Sequence, residues 1–554
     1  MNDYFDLGEH SYPISTQSMQ AQTWFDRGLL WCYGFNQEEA IRCFEQVLNH
    51  DPGCAMAYWG IAYAYGPFYN KPWKWFGEQE RFQTLKQCHT NSQKALALSA
   101  RVTPPEQQLI KALCLKFPTH QPLNLEALEQ AEINYAFSMR ELLENFADDL
   151  DINCLTVEAL VNLTPWKLWD IQLKKPTTDA HTLEVIEILE RAMALDRQQA
   201  AKPHAGLLHY YIHAVEMSPD PDKAIDAANQ LRRLSPESGH LLHMATHIDV
   251  LLGHYDDALK ANNCAIASDQ KYIGLRGNQE FYMISCLHNF HSKMYAAMFL
   301  GQFKAALEAA EAVHALVSDE VLKMDARYLT STIEAYYSAK THVLVRFGRW
   351  QEIIDEDLPE NTDLYPLTTT LLYYAKTIAN AAIGEIATAR HCQAEFARLQ
   401  DAIPDWHIIA NNPTRDVLAV AEAMLNGELE YHAGNAEQGF SYLRQAILLC
   451  DQLAYCEPWP WMHPPRHALG ALLLEQGQIE EAMLHFCDDL GIGDRLARCL
   501  QHRNNIWALH GYSECLNRLN RVEELQQVQQ ELDAAGLLTD INITSSCCCR
   551  KNTR

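Results

Sequence analysis

Histidine is the residue type in this sequence whose spacing could most clearly do chemistry. His209 and His213 stand four residues apart, His243 and His247 do the same, and His243 follows His209 by 34 residues. Glu216 comes just after the first pair, His240 just before the second, and His288, His291 and Tyr295 follow downstream. Helical residues four apart have Cβ atoms about 6 Å from each other on one face, so each pair can share an ion. Packed neighbouring helices, about 8–10 Å apart, bring two such pairs together. Imidazole suits zinc, copper, iron or nickel and gives little reason to expect calcium or magnesium. The expected ligands are His209, His213, Glu216, His240, His243, His247, His288 and His291, for a transition metal ion that the sequence leaves open among copper, iron and zinc. Seven histidines and a carboxylate exceed the needs of one tetrahedral ion, which points to one open site or a pair of ions. In a catalytic site Glu216 is a ligand or proton acceptor and Tyr295 a proton donor. In a structural site the ion ties three repeats together.

Such a site needs helices in register, and a repeat supplies them. Trp24, Gly28, Gly34, Ala40, Phe44 and Asp51-Pro52 are spaced like two packed helices of about a dozen residues: Gly28 and Ala40 allow close approach, Phe44 fills the gap, and Pro52 ends the second helix. Asn36 with Glu39 reads as the start of a capped helix. A glycine followed about five residues later by a small residue that opens an apolar helix recurs at Gly253/Ala258, Gly301/Ala306, Gly384/Ala389 and Gly477/Ala482, with weaker copies at Gly348/Ile353 and Gly434/Gly439. Ala224 and Ala258 are also 34 residues apart, a register independent of the histidines. No two-residue alternation is sustained, so strands are not expected. Thr103-Pro-Pro, Pro118 to Pro122, Lys175-Pro-Thr-Thr, Pro404 to Pro413 and Pro458 to Pro465 read as loops or tight junctions. The expected segments are N-terminal repeats over 1–175, central repeats with the histidines over 176–345, C-terminal repeats over 346–540 and a flexible, cysteine-rich tail over 541–554.

This pattern resembles the tetratricopeptide repeat, which implies an all-α, right-handed superhelical solenoid of antiparallel helix pairs. In that family the second, fifth and ninth positions of each first helix face a concave groove. His209, His213, His240, His243, His247, His288 and His291 take such positions, and Tyr295 takes a ninth. More narrowly, His209-Tyr-Tyr-Ile-His213-Ala-Val-Glu216, Gly239-His-Leu-Leu-His243-Met-Ala-Thr-His247 and Leu287-His-Asn-Phe-His291 resemble a family of bacterial tetratricopeptide proteins. Its other markers are Tyr33-Gly-Phe-Asn36, Ala57-Tyr-Trp-Gly-Ile-Ala62 with Gly66-Pro67, Thr164-Pro-Trp166, and Glu457-Pro458 leading to Arg466 and Gly470. The sequence departs from it at Phe68, where a small polar residue is expected, and around Trp461. The resemblance spans nearly the whole chain and implies a fold but no reaction, because that family is defined by its repeats.

Composition narrows the remaining choices. With 554 residues, 48% of them apolar and 21% charged, the chain has ample core-forming material and belongs to the folded class. A net charge of −27 opposes the phosphate contacts that nucleic-acid binding requires. Met1 to Gln22 has no basic flank before an apolar run, and no long uncharged apolar stretch occurs, so a soluble, cytoplasmic chain without a transmembrane segment is expected. Cys32, Cys43 and Cys54 read as small buried hydrophobes. The acidic pairs Glu38-Glu39 and Asp148-Asp149 read as solvated faces. There is no phosphate-binding glycine loop, serine elbow or paired CxxC motif. A metalloenzyme of oxidase-like or hydrolase-like type acting on a small molecule is the first reading. An interaction scaffold with a protein or peptide in the groove is the second. A metal chaperone using Cys547, Cys548 and Cys549 is the third.

Overall fold

In a computed structural model of the chain, residues 4–199, 202–493 and 495–550 are described. They fold almost wholly as helices packed in consecutive pairs, a tetratricopeptide-like helical-repeat architecture. Two compact units result: residues up to Ile248 with Cys264–Cys286, and Asp249–Asn263 with residues from Leu287 onward. The first division therefore falls inside the segment 176–345 that the sequence groups together.

In the first unit the pairs include Met19–Tyr33 with Gln37–His50, Ala55–Tyr65 with Glu78–Leu98, Pro104–Lys116 with Leu125–Asn145, and Leu150–Val161 with Thr182–Gln199. The second unit includes Pro366–Ala382 with Ile386–Ala402, Thr414–His432 with Ala436–Asp451, Pro465–Glu475 with Ile479–Leu490, and Ile506–Arg518 with Val522–Gly536.

The small residues expected to allow close approach do so. The Phe44 ring lies between Gly28 and Gly60, and a Cβ at either glycine would come within 2.6 Å of it. Phe486 is held in the same way between Gly470 and Gly511 in the second unit. The glycines at the helix-to-helix turns, Gly253, Gly301, Gly348, Gly384, Gly434 and Gly477, all have φ between +61° and +94°, the left-handed conformation that ends a helix with least strain in glycine. Asn36 caps Gln37–His50 by accepting from the Glu39 amide at 3.0 Å.

Three features differ from the sequence reading. Two short antiparallel pairs form inside expected loops, Trp169–Asp170 with Lys175–Pro176 and Ile408–Ile409 with Asn412–Pro413, because each loop turns back tightly enough to pair its own backbone. Glu39 is not solvated: it is 1% exposed and receives both arms of Arg276 at 2.7 and 2.8 Å. Residues 541–550, expected as a free tail, are packed against the second unit, with Ile543, Ser545, Ser546 and Cys549 buried. The last four residues of that segment lie outside the described residues.

Gly28→Ala and Gly470→Ala force a methyl group into a phenylalanine ring. Each is expected to lower stability by about 1–3 kcal/mol, read as a lower urea midpoint at unchanged slope; Gly384→Ala, where no atom crowds the position, is expected to act only through backbone strain.

Candidate metal centre

Two helical segments of the first unit carry six of the expected residues. Ala205–Val215 presents His209 and His213 one turn apart and ends on Glu216. His204 caps its start, accepting from the Leu207 amide at 3.2 Å. Gly239–His243 carries His240 and His243, and after a break at Met244 the chain resumes a helix with His247. All six side chains are buried, none more than 3% exposed. They therefore do not line an open groove, as the repeat register implied, but lie inside the unit.

The hydrogen bonds fix which way the rings turn. His209 Nδ1 lies 2.6 Å from the Tyr33 carbonyl, which only accepts, so Nδ1 carries the proton and Nε2 keeps its lone pair. His213 Nδ1 lies 2.8 Å from one oxygen of Glu216 and His247 Nδ1 lies 2.5 Å from the other. Burial alone would raise the Glu216 pKa, but hydrogen bonds and charge from His247 and His213 hold it below the usual carboxylate value. Both imidazoles thus donate through Nδ1 and direct Nε2 elsewhere.

The Nε2 atoms of His209 and His247 meet other imidazoles. His209 Nε2 lies 3.2 Å from His240 Nε2, and His247 Nε2 lies 3.1 Å from His243 Nε2. The Thr246 hydroxyl sits 3.2 Å from His243 Nδ1. One ligand atom from each of His209, His213 and His240 falls within 4.8 Å of the others, as does one from each of His213, Glu216 and His247. Burial, and then the neighbouring imidazoles, keep the pKa values of His209 and His240 well below the usual histidine value, so both are neutral at pH 7. Oriented imidazoles, with His209 and His240 held neutral, form a donor set suited to a transition metal.

Aromatic rings close around this set. Phe35, at φ +54°, lies parallel to the His213 ring at 5.8 Å and stacks on His240 at 5.1 Å. Tyr69 and Trp166 pack on His213 at 4.9 and 5.5 Å. The sequence markers Tyr33-Gly-Phe-Asn36, Gly66 to Asn70 and Thr164-Pro-Trp166 therefore meet at the histidines. Tyr69 was not among the expected functional residues. His240 Nδ1 has no hydrogen-bond partner among the described residues.

His288, His291 and Tyr295 belong to the second unit. His288 Nε2 lies 2.6 Å from a Glu457 oxygen, and His291 packs on the Tyr336 ring at 5.1 Å. The Tyr295 hydroxyl lies 2.9 Å from His502 Nε2; His502 Nδ1 in turn meets Asp489 at 2.8 Å, and His467 meets the other Asp489 oxygen at 2.7 Å. Nothing in the sequence spacing signalled this second carboxylate with two imidazoles, because its members come from separate repeats.

Nitrogen-15 correlation spectra of the chelator-treated protein are expected to show the Nδ1-protonated tautomer at His209, His213 and His247. Protons on Nε2 of His213 and His247 would contradict the orienting role of Glu216.

No protein-family model matches the chain. No curated protein matches it either. Among solved structures, the human IFIT1 dimer with m7Gppp-AAAA is similar over 95% of this chain and 91% of that one, at 11% identity and a TM-score of 0.32. Yeast Tom70 is similar over 94% and 90%, at 10% identity and a TM-score of 0.28. The APC/C hetero-tetramer Cut9-Hcn1 matches over 86% and 88%, at 10% identity and a TM-score of 0.25. Among the described residues, no helix is long and apolar enough to cross a membrane. At such low scores the helical pairing is established by this chain's own helices, and the histidine cluster by its own geometry.

Proposed function

We propose that the first unit is a transition-metal centre in a tetratricopeptide-like protein, of the bacterial family whose histidine motifs it resembles, and that it serves a metalloenzyme of oxidase-like or hydrolase-like type. The carrying observation is the orientation of the imidazoles: Nδ1 of His209, His213 and His247 meets the Tyr33 carbonyl or Glu216, and Nε2 of His209 and of His247 faces the imidazole of His240 and of His243 in a buried interior walled by aromatic rings. Among these residues His209, His213 and His240 form the first ligand set, and His243 and His247 supply further donors for the same ion or for a second one. This assignment leaves His291 and Tyr295 out of the first coordination set.

Glu216 takes a positioning role: its oxygens meet Nδ1 of two histidines and hold the rings that offer Nε2. The Tyr69 phenol, buried beside His213, is placed to hold or donate a proton at the metal centre. A bound ion would supply Lewis-acid or redox chemistry. Burial favours this reading over a peptide groove, because side chains at most 3% exposed offer no surface to a peptide.

Elemental mass spectrometry of the purified native protein is expected to find about one or two transition-metal ions per chain, and far less after His209→Ala combined with His247→Ala. Native protein that arrives without metal, and takes up neither zinc, copper nor iron when offered, would sink the proposal. Glu216→Gln is expected to weaken metal affinity by about 10–100-fold without abolishing the site, as competition with a chromogenic chelator would measure.

A further inference from the structure

Three adjacent thiols, Cys547, Cys548 and Cys549, have no part in the metal centre. They belong to a segment that runs irregularly across four helical pairs of the second unit and is anchored at each. The Asp540 carboxylate accepts from the Phe303 and Lys304 amides at 2.7 and 2.9 Å. The Ser546 hydroxyl donates to the His467 carbonyl at 3.2 Å. Cys548 lies against Gly348, with its thiol 3.7 Å from the Arg346 carbonyl. Arg550 pairs with Glu514 at 2.6 Å.

Within this strap Cys547 and Cys549 form a disulfide with one residue between them. Disulfides stabilise chiefly by closing loops in the unfolded chain, and the effect grows with loop length. A bridge over one residue closes almost no loop, so stapling the fold does not account for it. Access is unequal: Cys547 is partly exposed, whereas Cys549 is 1% exposed. An external thiolate therefore reaches the Cys547 sulfur, with Cys549 as leaving group.

We propose that Cys547 and Cys549 are a redox-active couple that exchanges with dithiol reductants, and that their oxidation state sets whether the strap stays docked over Arg346 and His467. In the forward direction a thiolate of the reductant attacks the Cys547 sulfur, the disulfide breaks, and the electron pair leaves on the Cys549 sulfur, which takes a proton from solvent. The second thiol of the reductant then attacks its own sulfur in the mixed disulfide and releases Cys547. The net change converts one protein disulfide and one dithiol into one protein dithiol and one reductant disulfide, with two electrons and two protons transferred. Docking follows the bond because the closed ring fixes the backbone on either side of Cys548: the Cys549 amide approaches the Cys547 sulfur at 3.2 Å, and the Cys547 amide approaches the Ser545 hydroxyl at 3.5 Å. Opening the ring returns rotational freedom to three residues, and that entropy opposes seating Cys548 against Gly348.

The test uses the full-length chain, equilibrated in glutathione buffers from reducing to oxidising, alkylated with iodoacetamide, and followed by peptide mass and by hydrogen exchange. A two-electron transition confined to the peptide containing Cys547 to Cys549 is expected, with amide exchange over 541–550 at least about tenfold faster in the dithiol form. Cys547→Ser with Cys549→Ser is expected to exchange like the dithiol form at every poise, and Cys548→Ser to retain both states. Absence of a transition across the buffer series overturns the proposal, as does equal protection of 541–550 in the two oxidation states.

Discussion

The interior of the first unit depends on one carboxylate shared by two imidazoles. Glu216 is fully buried, and an ionised carboxylate without partners in that position would be unstable. Its partners are His213, three residues back on the same helix, and His247, on the next repeat, so the interaction joins two repeats while fixing two rings. Each hydrogen bond to such a charged group contributes about 1.5–3 kcal/mol. With both Nδ1 atoms turned to Glu216, the Nε2 atoms lie on the far side of the rings, and in the neutral tautomer each carries a lone pair. His209 adds a third inward lone pair through the Tyr33 carbonyl. Lone pairs crowded together need a proton or a cation between them, and the rings of Phe35, Tyr69 and Trp166 exclude much of the water that would otherwise screen them.

Much of this architecture is legible in the sequence, for identifiable reasons. Repeats expose themselves by recurrence, so Gly28 with Phe44 and the left-handed glycines after each first helix were readable without knowing their neighbours. The pairs His209/His213 and His243/His247 were readable because four-residue spacing and a 34-residue interval both reflect helical geometry. Burial was not. The family register aims these positions into a groove, but Phe35, Tyr69 and Trp166 reach the same face from turns whose course no periodicity encodes. Glu216 is a subtler case. Either a ligand or an orienting carboxylate can stand three residues after His213, and only its meeting with Nδ1 distinguishes the two. The C-terminal segment misled through its polar composition, since Asp540, Ser546 and Arg550 find their partners some 36 to 237 residues away along the chain.

The second unit holds a comparable carboxylate with two histidines, and its surroundings differ. Asp489 also receives two imidazoles, from His467 and His502, and it too is buried. Burial raises its pKa, yet the two histidines more than reverse that effect and hold it far below the usual carboxylate value. The difference lies in what the far nitrogens meet. His502 Nε2 accepts the Tyr295 hydroxyl at 2.9 Å, so its lone pair is already used within the fold. His467 Nδ1 stands without a hydrogen-bond partner among the described residues, a single donor where a metal needs several. In the first unit Nε2 of His247 instead lies 3.1 Å from Nε2 of His243, and Nε2 of His209 lies 3.2 Å from Nε2 of His240. Convergence of lone pairs, rather than the number of histidines or the presence of an acid, is therefore the property that separates the two clusters, and it assigns Tyr295 to a hydrogen-bonded core while leaving Tyr69 beside the histidines.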